Sequence, residues 1–311
     1  MNTSSPPFQK SILVIGDSIV DIYVYGTAIG KSAETPTIVA KKTDKTVSIG
    51  GAFLVVRNLL ELGAKVDFVT LVGADQESSY IREYSHPNLT TTYIVDQSRA
   101  TTIKKRYWID GYKLLQFDSL DNKNLDAKLQ LEAIKKIKSL FRFCDLAVIS
   151  DYRHGFLSGE LPELLVKQAS ESNKSLYIDS QVSQSLSNHL HYKGATLFCL
   201  NLREAKQIYK NFDVNNAVDG LSKIKSFLNA KNIVVKLGEL GCIGYIDGVL
   251  TESPAFSVNP VDTCGAGDAF LAALCMSDIT NYKQALIFSN KWAALSTLQH
   301  GPTPPILKEV T

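Results

Sequence analysis

Short apolar runs alternate along the chain with longer stretches in which apolar positions recur at three- and four-residue spacing. The runs "SILVIGD" (11–17), "KVDFVTLVG" (65–73), "DLAVIS" (145–150), "SLYID" (175–179), "ATLFCL" (195–200) and "NIVVKLG" (232–238) read as buried strands. Between the first two lies "AFLVVRNLLELG" (52–63), apolar on nearly every side and so a well-buried helix. "LDAKLQLEAIKKIKSLF" (125–141) repeats Leu, Ile and Phe at helical spacing, and its "KKIK" reads as a solvated face. Strand and helix in alternation predict an α/β fold, a mostly parallel sheet with helices on both faces. Such folds bind ligands at the carboxyl ends of their strands.

Two regions, about 18–49 and 90–117, break this rhythm with β-like runs and little helix. In "TTIKKRYWIDGYKLLQFD" two runs rich in β-branched and aromatic residues flank Asp110-Gly111, a strong hairpin signal. These regions predict a small separate sheet that serves as a lid over a strand-end site. The alternative is an extra hairpin at the edge of the main sheet.

With 311 residues and 45% hydrophobic content the chain can bury a large core, and residues 10–311 read as one domain behind a disordered tail, 1–9. A net charge of +2 makes no electrostatic case for nucleic acid or an anionic membrane. No apolar run nears the ~20 residues of a membrane span. The start lacks the pattern of a signal peptide. Five scattered cysteines without C-x-x-C indicate neither a zinc site nor a disulfide framework, so a reducing cytoplasm fits best.

The chemistry concentrates in "VDTCGAGDAFLAALCM" (261–276). Gly265, Ala266 and Gly267 form a small-residue turn directly before a helix. Amides there point outward at the positive end of the helix dipole, an anion hole suited to a phosphate. Asp268 stands at its rim. A carboxylate does not itself suit anion binding, and the task that fits is accepting a proton from an attacking hydroxyl. A bare G-x-G-D would also fit a turn with a capping Asp; the longer string D-T-x-G-A-G-D-A-F favours the chemical reading.

This string resembles the signature of the ribokinase-like (PfkB) family of sugar kinases. Further stretches resemble the same family along nearly the whole chain: "VIGDSIVDIYVYG", "GKSAETPTIVAKK", "SIGGAFLVVRNLLELGA", "RATTIKKRYWIDGYKLLQFD", "ISDYRHGFLS" and "LNLREAKQI". Several are similar to its bacterial heptose 7-phosphate kinase branch. The resemblance implies a ribokinase-like fold and ATP-dependent phosphorylation of a sugar or sugar phosphate. It makes Asp268 the base and the amides of Cys264 to Gly267 the anion hole. Asn201 and Glu204 would organise Mg²⁺, through water, and the phosphates. Asp21, Gly50 and Gly51 would hold sugar hydroxyls, and Asn290 and Gly301 would line the adenine pocket. Lys236, Gly238, Asp262 and Thr263 would join Cys264 on the nucleotide side. Lid strands in this family often pair between subunits, which implies a homodimer. The alternatives are a degenerate relative acting as a binding or regulatory protein, and a kinase for a pentose, hexose or nucleoside.

Three departures alter the substrate side. Leu54 falls where the family carries an Asn that contacts sugar, beside a bulky Phe53. His154 and Gln181 (in "DSQ", from Asp179) stand where the heptose branch has lysines. His154 carries charge only when protonated. Lys104 and Arg106, on one face of a lid strand, are candidates to bind a substrate phosphate instead. "YGTAIGKSAE" (25–34) is a near miss to a P-loop, with three residues between Gly26 and Gly30 where four are needed and no helix after Ser32. Lys31 is therefore a candidate for the acceptor. No G-x-G-x-x-G follows the first strand, against a dinucleotide-binding dehydrogenase. His189 and His191 in "NHLHY" lack acidic or thiol partners and read as surface residues.

Overall fold

The computed structural model describes residues 10–181 and 188–307. The tail expected at 1–9 lies outside the described residues.

Thirteen strands are present among them. They are β1 (Ser11–Gly16), β2 (Ser18–Lys31), β3 (Ile38–Gly51), β4 (Lys65–Gly73), β5 (Leu89–Asp96), β6 (Ile103–Ile109), β7 (Tyr112–Ser119), β8 (Leu146–Asp151), β9 (Ser175–Ser180), β10 (Leu197–Asn201), β11 (Asn232–Lys236), β12 (Cys242–Ile246) and β13 (Val249–Ser253). The α-helices are α1 (Ala52–Glu61), α2 (Ser79–Arg82), α3 (Ala127–Leu140), α4 (Leu161–Glu171), α5 (Leu202–Ile208), α6 (Ala217–Leu228), α7 (Ala266–Met276) and α8 (Tyr282–Ser296).

The main sheet runs β13-β12-β11-β10-β9-β8-β1-β4-β5. It is parallel from β5 to β11, and β12 and β13 add an antiparallel edge. Its central strands are continuous apolar runs because helices cover both faces. One core packs α1, α7 and α8 against the sheet through Phe53, Leu59, Leu271 and Trp292. The other packs α3, α4 and α6 through Ile137, Leu165, Leu221 and Phe198. Strands and helices thus fall within a few residues of the sequence-based expectation. The helix after Gly265 begins two residues earlier than expected, at Ala266.

A second sheet, β3-β2-β6-β7, forms the lid. It is rooted beside the end of β1, where Ser18 pairs with Gly51 and the Ala52 amide donates to the Asp17 carbonyl at 2.8 Å. The β6–β7 hairpin turns at Asp110 (φ 49°) and Gly111 (φ 82°), the two left-handed residues such a turn requires. One expectation is corrected. Residues 89–96 do not belong to the lid: they form β5, parallel to β4 at the edge of the main sheet.

Candidate active site

A cavity of about 1100 Å³ opens at the carboxyl ends of the parallel strands, between the main sheet, the start of α7 and the lid. Tyr152 follows β8, Asp179 lies in β9, Asn201 closes β10 and Lys236 closes β11; all four line it. This is the crevice such a topology creates.

Gly265 caps α7 in a left-handed conformation (φ 81°), and a side chain there would press on Pro302 at 2.8 Å. Asp268 sits in the first turn and accepts from the Tyr152 hydroxyl through both oxygens, at 2.9 and 2.8 Å. Burial, then the nearby Asp179, pushes the Asp268 carboxyl up to about 7, against the Tyr152 hydrogen bond and Lys236. A carboxyl poised near neutrality suits proton transfer.

Fewer amides are free at the helix start than the expected anion hole would use. The Cys264 amide donates to the Asp262 side chain at 2.9 Å and the Ala266 amide to the Thr263 carbonyl at 3.3 Å. That leaves Gly265 and Gly267 to supply the outward amides at the helix start. Asp262 and Gly301 do not line the cavity. Asp262 instead ties the loop to the chain end by also accepting from the Gly301 amide at 3.1 Å. Thr263, Cys264 and Gly238 do line it.

Asn201 and Glu204 form a capping box on α5. The Asn201 side chain accepts the Glu204 amide at 2.9 Å, and the Glu204 carboxylate accepts the Asn201 amide at 2.7 Å. Both line the cavity. Burial, then Asp179, raises the Glu204 carboxyl to about 7. No group of three or more acidic, His or Cys side chains placed to hold a metal occurs among the described residues. Hard oxygen donors that reach an ion through its water shell suit magnesium, which keeps most of its waters.

Asn290 lines the cavity beside Phe256, Ala293 and Thr297, but its amide nitrogen is committed to the Ser253 carbonyl and hydroxyl at 3.0 and 2.9 Å. It fixes the end of β13 against α8.

On the lid side, Arg106 pairs with Asp21 at 2.6 Å and lies over the Tyr23 ring. Lys104, Arg106, Asp21 and Gly51 line the cavity. Gly50 lies just behind: a Cβ there would run into the Asp21 carboxylate. Lys31 is not brought in. It is exposed at the far end of β2, paired with Ile38, ten residues or about 33 Å of strand beyond Asp21. Leu54 lines the cavity and is nearly buried, while Phe53 packs edge-on against Phe68 and Tyr84. His154 lies outside the cavity, its ring bonded to Asn122 at 2.9 Å. Burial, then Lys104, lowers its pKa to about 4, so it supplies no charge at neutral pH.

His189 is fully buried next to Phe198, not on the surface as its H-x-H context suggests. Sequence reasoning put Lys236 on the nucleotide side but gave no role to Tyr152 and did not pair Lys236 with Asp179. The partners are 116 and 57 residues apart, and no local pattern joins them.

A large parallel sheet, a rooted β-lid and an acid at a glycine-led helix start define a ribokinase-like α/β phosphotransferase architecture. The chain belongs to the pfkB family of carbohydrate kinases, whose family model matches residues 9–309. It is 31% identical over 293 residues to a bifunctional protein HldE of Campylobacter jejuni subsp. doylei, covering 92% of this chain and 61% of that protein. A bifunctional protein HldE of Nitratiruptor sp. is 27% identical over 307 residues, at 97% and 64% coverage. The chain thus spans about three-fifths of the length of these curated relatives. Among solved structures it is similar to a ribokinase from Thermotoga maritima (TM-score 0.71, 22% identity, 97% of this chain and 98% of that one). It is also similar to phosphofructokinase-2 from Escherichia coli (TM-score 0.77, 16% identity, 97% of each chain). No helix among the described residues is long and apolar enough to cross a membrane.

Proposed function

We propose that this chain is an ATP- and Mg²⁺-dependent kinase that phosphorylates a hydroxyl of a phosphorylated sugar, of the heptose 7-phosphate class. The observation that carries the reading is Asp268: a half-buried carboxyl held near neutrality, at the start of a helix that presents outward amides, facing a cavity wide enough for two substrates.

The chemistry follows from the residues. The acceptor hydroxyl gives its proton to Asp268 as its oxygen forms a bond to the γ-phosphorus. The bond between that phosphorus and the β–γ bridging oxygen breaks, and ADP leaves with the electron pair. The amides of Gly265 and Gly267 meet the charge that grows on the transferred group. Asn201 and Glu204 would hold magnesium through water, and the ion would neutralise phosphate charge. Phe256, Ala293 and Thr297 form the base pocket. Asp21 and Gly51 contact the sugar, with Lys104 and Arg106 toward its phosphate.

The two sheets serve one cavity, so residues 10–311 act as one kinase domain with the lid as part of it. Apolar side chains exposed on the lid strands, Ile29, Tyr112, Leu115 and Phe117, support pairing of two copies through the lid. The HldE resemblance supports the heptose class, while Leu54 and the neutral His154 favour an acceptor shifted within it. Phosphorus NMR of ATP with a panel of heptose, hexose and pentose sugars, each free and phosphorylated, tests the reading. Turnover should be fastest with a phosphorylated sugar, and no new phosphoester with any of them would refute it.

A further inference from the structure

Lys236 stands among acidic groups and yet against the first turn of a helix. It ends β11, directly beside Asn201 of β10, yet its ammonium bonds to Asp179 of β9 at 2.5 Å. The side chain therefore passes in front of β10. Two strand spacings are about 10 Å, so both partners must reach toward each other. The ammonium also lies 3.3 Å from the position a Cβ on Gly267 would take. Only the absent side chain of a glycine separates it from the first turn of α7. A cation beside a helix N-terminus is repelled by the helix dipole. Two positive groups arranged side by side on one cavity wall make sense as two halves of an anion site.

We infer, resting on the kinase reading, that Lys236 is a catalytic residue whose ammonium bonds the γ-phosphoryl group opposite the amides of α7, with Asp179 holding it in place. An ammonium has three N–H donors, and Asp179 takes one. Lys236 is mostly buried but lines the cavity, as do Asp179, Glu204 and Asp268. Burial opposes its charge, but Asp179, then Cys199 and Glu204, hold its pKa above the usual lysine value, so it is cationic throughout the working range. The same wall carries no lysine at Gln181, and His154 is neutral. Arg203, which also lines the cavity on the nucleotide side, is exposed. Lys236 thus places the buried charge where the transferring group sits, from a different strand.

The test uses Lys236→Met, Lys236→Arg and the neutral pair Asp179→Asn/Lys236→Met. Calorimetry compares Mg·ATP with Mg·ADP, and steady-state kinetics separates kcat from KM. Lys236→Met should lose about 100-fold in kcat, with the acceptor KM within about twofold, and should lose preference for ATP over ADP. Lys236→Arg should recover most of both. The neutral pair removes the unpaired buried carboxylate, so it should regain the Tm that the single change loses without regaining kcat. Turnover that returns with Tm in the pair would make the bridge merely structural, as would an unchanged ATP-over-ADP preference. Should Lys236→Met not fold, the neutral pair carries both measurements. Because the nucleotide comparison needs no acceptor, it decides the role of Lys236 even if wild-type protein transfers to none of the sugars.

Discussion

The Tyr152 hydroxyl donates to both carboxylate oxygens of Asp268, at 2.9 and 2.8 Å, across 116 residues of sequence. One proton shared between two oxygens restrains the carboxylate and favours its ionised form. It opposes the burial and the Asp179 charge that push Asp268 up to about 7. Tyr152→Phe should therefore raise the pKa of the base. The acid limb of kcat/KM, with its midpoint near pH 7 in the wild type, should move to higher pH. Activity should fall most below pH 7 and recover substantially above pH 8. A uniform loss at every pH would assign Tyr152 to binding rather than to the base.

The raised Asp268 carboxyl also fixes a stability trend. The folded state keeps this proton up to about pH 7, whereas the unfolded chain releases it near pH 4. Between those values the folded state binds more protons, so its stability falls as pH rises. Asp268→Asn removes the effect. Its Tm should decline less than wild type from pH 5 to pH 8 and exceed wild type by about 2 °C or more at pH 8. Parallel Tm curves would contradict the raised pKa.

Arg106 is held at the cavity by Asp21 and the Tyr23 ring. If it also meets the acceptor phosphate, Arg106→Gln removes a charge-assisted hydrogen bond worth about 1.5–3 kcal/mol. KM for a phosphorylated sugar should rise about tenfold or more, and KM for its free counterpart much less. Equal changes for the two would place Arg106 in support of Asp21 alone.

The exposed apolar residues of the lid predict self-association. Analytical ultracentrifugation should find a dimer at micromolar concentration, and Phe117→Lys should shift it toward monomer. A wild-type monomer over that range would dismiss pairing through the lid.

Much of the fold was legible because strands buried on both faces are plain apolar runs, and because Asp110-Gly111 marks its hairpin unambiguously. The same signal recurs at Asp247 (φ 48°) and Gly248 (φ 83°), where it joins β12 to β13 as an antiparallel edge that the apolar runs alone did not reveal. "LTTTYIVD" reads with the lid because it belongs to a stretch of β-like runs with little helix between them; only pairing with β4 places it in the main sheet. Within the site, the glycine-led helix and Asp268 are contiguous and so could be read. Lys31 shows the limit, since pattern reveals a strand but not how far along it the cavity ends. His189 shows another, because packing beside Phe198 of β10 leaves no trace in the H-x-H pattern itself. Tyr152 and the pairing of Lys236 with Asp179 escaped for a like reason, as the partners come from other strand ends or from α7.

Asp268→Asn, nearly isosteric with the wild type, isolates the base. Phosphoryl transfer to the best acceptor should fall by about 10³-fold or more, while calorimetric affinity for Mg·ATP stays within about threefold. Transfer at the wild-type rate in that variant would contradict the assignment of Asp268 and the mechanism built on it.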